Sequence, residues 1–353
     1  MTTSMDRTAA EPVTVPFSAR ERWTLVVAAA WLVIGLQLDA YAHATTPELE
    51  TFWTPWHGVL YSGIAASGFT LLWIMRSRLP GVPTYASLLA LPNALRIPLG
   101  GMAALLVGGG MDTLWHNVFG IEQDMEIFIS PSHEFIILGM VLVAAGPVLM
   151  QATVPGRELG TGGGFLVATA ALFAVLPVHI YSLHASAIGF RHLGSGAEPV
   201  PIFSPDAQLV HGYLFSTVLL LLPLILIGRR WRLPIGLPTA LIAVPAALMH
   251  LMFDSEDSWW PALTLAAASV VLEAAFRIAG RATRATLGVN ARWILLGLIA
   301  PPLAWGSVLV VGGIVEGSVG FNVHMVSGLL TFTALTGVAT VLVARSVQHL
   351  QAE

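Results

Sequence analysis

Two stretches of the chain carry the same order of chemically capable side chains. Asp39 and His43 lie four residues apart, and thirteen residues separate His43 from His57. Asp112 and His116 repeat the spacing, with sixteen residues before His133. On a helix, residues four apart share one face, so each Asp and His can hold one ion between them. Alternatively the carboxylate orients the imidazole from behind. A histidine opening the next helix completes a set of two imidazoles and one carboxylate. That donor set suits copper, zinc or non-haem iron. The chain has no cysteine, so thiolate ligands are excluded.

Further candidates stand at similar positions. His250 and Asp254 present the same pair in reverse order, and His324 sits in the apolar context Gly320-Phe321-Asn322-Val323. Ionisable groups in apolar segments are functional candidates. Glu122 and Glu126 are one turn apart if their loop is helical, and Met111, Met125, Met249, Met252 and Met325 would suit copper if they point inward. For a single Asp–His pair the plainer reading is a helix end emerging into interfacial water. Two copies, among ten histidines on one face, favour a metal site. The metal ligands expected are therefore Asp39, His43, His57, Asp112, His116, His133, His250, Asp254 and His324.

The elements that must position these groups are membrane helices. The chain is 56% hydrophobic and only 10% charged, with a mean hydropathy of +0.77. That composition belongs to a polytopic membrane protein and excludes a water-soluble domain. The fold class expected is an all-α, polytopic integral membrane bundle of about ten helices. The spans fall near 23–42, 57–75, 96–115, 133–152, 163–182, 208–228, 234–253, 259–276, 293–315 and 322–344. Segment 81–95 reads as an interfacial or re-entrant piece, or as the start of the third helix. Residues 1–19 read as a disordered cytoplasmic tail, and 20–353 as one transmembrane domain.

Arginine placement orients the bundle. All 16 basic residues are arginine, and nearly all fall at alternate loops, which places both termini in the cytoplasm. Every histidine except His349 then lies at the opposite, outer face, together with most acidic residues. Such a face attracts cations. Thr54-Pro55, Ser130-Pro131 and Ser204-Pro205 recur about every 75 residues. Ser or Thr at the cap with Pro at the first helical position is a strong helix start. The recurrence suggests five hairpins, with repeat-like units near 23–78, 96–156, 163–232, 234–284 and 293–345. Because both Asp-x3-His patterns lie at one depth on one face, a single shared polar centre is expected.

The order Asp39-x3-His43…His57 resembles a pattern in the particulate methane and ammonia monooxygenases. One of their membrane subunits carries copper ligands in an Asp-x3-His…His order beside an Asn-x3-His…His set. Asp112, His116 and His133 form a looser copy. The resemblance implies copper and oxidation of a small apolar substrate, with the glycines of 100–110 admitting that substrate. A zinc-dependent membrane hydrolase, and a non-enzymatic metal-binding or transport protein, are the other readings. Apolar midspan positions argue against transport. The partners expected are the lipid bilayer, a small apolar substrate or metal ion, and a second copy or a partner subunit. Nucleic acid is not expected. The location expected is the cytoplasmic membrane.

Overall fold

The computed structural model describes residues 16–46, 54–79, 81–120, 126–188, 192–196, 204–253, 259–282 and 287–346. Among these residues the chain is helical and has no strand. The long helices are α1 (Ala19–Thr45), α2 (Pro55–Arg78), α4 (Asn93–Phe119), α6 (Pro131–Ala152), α7 (Thr161–Tyr181), α8 (Pro205–Arg230), α9 (Leu237–Phe253), α10 (Trp260–Ala282), α11 (Val289–Val315) and α12 (Val323–Ser346). Two short helices intervene, α3 (Tyr85–Leu89) and α5 (Glu126–Ile129). Nine of the long helices have the length and composition to cross a membrane. The tenth, α9, has 17 apolar residues, which span roughly 25 Å at the helical rise.

These helices carry apolar side chains on all sides. Phe69, Leu106, Leu114, Val271, Ile314 and Val343 are each more than half exposed. In water such a surface would aggregate. In a bilayer it is solvated, and only the helix backbone must be satisfied internally.

The first pair, α1 with α2, and the second, α4 with α6, pack as antiparallel hairpins, and contacts of α1 with α6 and α2 with α4 join them into a four-helix unit. The α9–α10 and α11–α12 pairs are also hairpins. The third pair differs from the hairpin expectation. Helix α7 packs on α6, α1 and α9, whereas α8 packs on α12, so α7 and α8 scarcely touch. In this way α7 links the four-helix unit to the remaining helices.

Close approach of α4 and α6 depends on glycine. A Cβ on Gly101 would lie 2.6 Å from Leu142 Cβ, and one on Gly139 would lie 2.6 Å from the Gly101 carbonyl oxygen. Gly108 likewise meets Ile136 at 2.9 Å. Gly100, Gly109 and Gly110 face open space. The glycines of 100–110 therefore serve helix packing on one side and face open space on the other.

The opposite end of the unit is clamped by charge. Ser18 caps α1 in a reciprocal capping box with Glu21, and Arg78 donates to both Glu21 carboxylate oxygens at 2.9 and 3.1 Å. The Arg78 guanidinium lies 3.8 Å from the ring centre of Phe17, which is buried. Residues 16–19 of the expected tail are thus ordered; residues 1–15 lie outside the described residues. Segment 81–95 divides into the exposed helix α3, capped by Thr84, and the first turn of α4.

Candidate metal centre

Helix pairing determines which histidine returns to which carboxylate. The last turns of α1 and the first turn of α2 meet at one end of the unit. There His43 Nε2 lies 3.9 Å and His57 Nε2 3.4 Å from Asp39 Oδ2. The last turns of α4 and the first turn of α6 repeat the arrangement. His116 Nε2 lies 3.5 Å and His133 Nε2 3.3 Å from Asp112 Oδ1. Within each triad one donor atom per residue lies within 4.8 Å of the others.

These distances carry chemical information. They exceed the usual N–H···O hydrogen bond of about 2.7–3.2 Å. Two donors each about 2.1 Å from one ion at a tetrahedral angle are roughly 3.4 Å apart. The spacing therefore suits shared coordination better than direct hydrogen bonding. Both carboxylates are buried, while His43 is exposed at the rim and His57, His116 and His133 are half-buried. Asp39 Oδ1 and His133 Nδ1 are buried with no hydrogen-bond partner among the described residues. Buried polar atoms are normally satisfied, so each such atom requires a physical reason.

Local backbone geometry prepares one ligand further. Gly120 closes α4 with φ +87°, a conformation favouring glycine, and its carbonyl oxygen lies 3.3 Å from His116 Nδ1. A proton on Nδ1 donates there, leaving the Nε2 lone pair towards Asp112.

The two triads differ in what else touches the carboxylate. Thr54 and Ser204 cap their helices as expected, accepting from the His57 and Ala207 amides. Ser130 does not. Its hydroxyl pairs with that of Ser132 at 2.7 Å, and Ser132 donates to Asp112 Oδ1 at 3.1 Å. Both serines are buried, and through Ser132 they support Asp112.

The six residues form two triads, where one common ligand shell was expected. The triads are nonetheless neighbours. His43 lies within electrostatic reach of His116 and His133 as well as of its own partners. Tyr61, one turn beyond His57 with its ring 6.1 Å away, lies within reach of both Asp39 and Asp112. Tyr61 was not among the expected residues, although its four-residue spacing from His57 is legible. The Tyr181–Glu134 hydrogen bond of 2.9 Å, which ties α7 to α6 near the second triad, was also not foreseen.

The remaining candidates separate from this centre. His250 is buried with its ring 4.3 Å from that of Trp259, and His324 is exposed at the start of α12; neither belongs to a triad. Asp254, Glu122 and Met125 lie outside the described residues, as does the Glu126 side chain. Met249 and Met252 are buried in the core formed by α7 to α12, with Met325 packed against it, and Met111 is half-buried beside Asp112. In the same region His192 is buried beside Trp260, and desolvation together with nearby His250 pushes it down to about 4.

Compared with protein-family models, curated proteins and solved structures, the chain matches none. The functional reading therefore rests on the geometry. A helical, membrane-type protein presents two His/Asp groups able to bind a metal.

Proposed function

We propose that the protein is a membrane metalloenzyme in which each triad holds one transition-metal ion. The reaction proposed is oxidation of a small apolar substrate at the histidine-rich end. The observation that carries this reading is the pairing of two triads, each with two imidazoles and a buried carboxylate at coordination spacing. Three protein donors leave positions open to water or substrate, as reactive sites do and closed structural sites do not. Copper stands first because the donor order resembles that of the monooxygenases, and imidazole is a good ligand for it. Iron and zinc are the alternative ions. The histidine-rich end is proposed to face outward, with both termini in the cytoplasm, by the arginine distribution.

Metal analysis of the purified, detergent-solubilised protein tests the reading. Two equivalents per chain are expected, falling to one in Asp39→Ala or Asp112→Ala. Absence of stoichiometric copper, iron or zinc after metal supplementation would refute it. Stoichiometric zinc without copper would redirect the chemistry to metal-activated water.

A further inference from the structure

The opposite end of the molecule contains a second candidate site. A cavity of about 590 Å³ opens where α8 and α10 end and α9 and α11 begin. Seven arginines and two glutamates line it.

Both glutamates are engaged. Glu158 pairs with Arg232 at 3.0 Å, and Glu273 pairs with Arg277 at 2.7 Å while accepting from the Gly236 and Thr239 amides. Two further arginines are held by backbone carbonyls, Arg230 by Gly156 and its neighbours and Arg229 by Ala344. The remaining charge is not neutralised. Arg157 and Arg281 make no hydrogen bond or ion pair with another described residue, and Arg292, whose Nη1 donates to the Gly280 carbonyl at 3.3 Å, keeps a buried Nε with no partner among the described residues. Behind the wall, Arg345 adds two more buried, unpartnered nitrogens beside Arg229. Helix α11 also begins here, at Gly288, with no side chain capping its first-turn amides. An uncapped helix start and unpaired guanidiniums both favour an anion.

The mouth is mixed. Ile235 and Val289 line the cavity and are 89% and 54% exposed, and Arg157, Arg232 and Arg281 are exposed beside them. Trp231 and Trp293 also line it. Guanidiniums beside apolar side chains suit a ligand that is anionic at one end. Arginine retention at cytoplasmic loops explains charge in general. It does not explain a formed cavity in which Arg157 and Arg281 have no partner among the described residues and Arg292 keeps a free buried nitrogen.

We infer that this cavity binds a phosphate-bearing anion through Arg157, Arg281 and Arg292. The source is either a phospholipid headgroup or a soluble phosphorylated compound. The site is separate from the metal triads and does not depend on their proposed function.

The test measures thermal stability of the full chain in detergent with added lipid or salt. One arm adds phosphatidylglycerol, with phosphatidylcholine, whose phosphate is neutralised by its own quaternary ammonium, as the zwitterionic control. The other titrates pyrophosphate. Saturable stabilisation by phosphatidylglycerol alone identifies a lipid headgroup, and by pyrophosphate a soluble anion. In Arg157→Gln/Arg281→Gln the dissociation constant should weaken by about tenfold or more. The ligand-free stability of that variant should match wild type, because neither guanidinium holds a partner among the described residues; Arg281→Gln alone provides a milder variant. The inference is overturned if neither probe gives saturable stabilisation. It is also overturned if both variants respond as wild type does.

Discussion

The hydroxyl of Ser132 donates to Asp112 Oδ1 at 3.1 Å, whereas buried Asp39 Oδ1 has no partner among the described residues. Two triads with the same donors therefore differ in support. Hydrogen bonds to a ligating carboxylate hold its orientation, and their loss typically weakens metal binding about 10–100-fold. Ser132→Ala should accordingly lower affinity at the second triad by that factor and leave the first unchanged. Competitive chelator titration should then show one tight and one weakened equivalent. Equal weakening of both, or of neither, would contradict this role.

Proximity of the triads predicts coupling between them. His43 lies within electrostatic reach of His116 and His133, so a cation in one triad opposes a cation in the other. The second equivalent should bind several-fold more weakly than the first. Raising ionic strength should narrow that difference only modestly, because both carboxylates are buried. Isothermal titration of the demetallated protein provides the measurement, and two identical independent sites would exclude the coupling.

Glycines at the α4–α6 contact and away from it predict a contrast between a packed position on α6 and an open one on α4. Gly139→Leu places a side chain where the Gly101 carbonyl oxygen lies only 2.6 Å from the Cβ position. The backbones must separate, at a cost of about 3 kcal/mol, the upper end of overpacking penalties. The second triad should lose its metal first, since it spans α4 and α6. Gly109→Ala meets nothing within 4 Å and should be neutral, or stabilising by up to about 1 kcal/mol. Melting temperature and metal content, measured together, separate the two outcomes.

Acid sensitivity should trace to His192. Its folded value of about 4 lies below the ordinary 6.5, because burial and His250 disfavour the charged ring. The folded state then binds the proton less readily than the unfolded chain. Its contribution is intact above pH 6.5 and declines as the pH falls towards 4. The total loss is on the order of 3 kcal/mol. His192→Gln should flatten the melting temperature across that window. A variant as acid-sensitive as wild type would assign the effect to other groups.

Much of the architecture follows from local pattern. Long apolar runs between arginines mark the helices, since a bilayer leaves few other structures for such sequence. The four-residue spacing of Asp39 with His43, and of Asp112 with His116, places each pair on one face by helical geometry alone. The Thr54-Pro55 and Ser204-Pro205 starts behave as their residue types dictate, because capping involves only neighbouring residues.

Long-range relationships were decided only by packing. Sequence spacing does not reveal that the Ser130 side chain turns from capping to pair with Ser132, because the Ser132–Asp112 bond it supports crosses between helices. Nor does it show that α7 leaves α8 for α6 and α1, which breaks the pattern of hairpins. His250, matched to the triads by depth and residue type, is instead buried against Trp259. The sequence by itself determined the membrane helices and the two Asp–His pairs, because both depend on residues within a turn or two. Tertiary structure decided that His57 and His133 complete two separate triads and that Tyr61 lies near both. Those distances depend on how closely helices approach, and glycines such as Gly101 and Gly139 set that approach for α4 and α6.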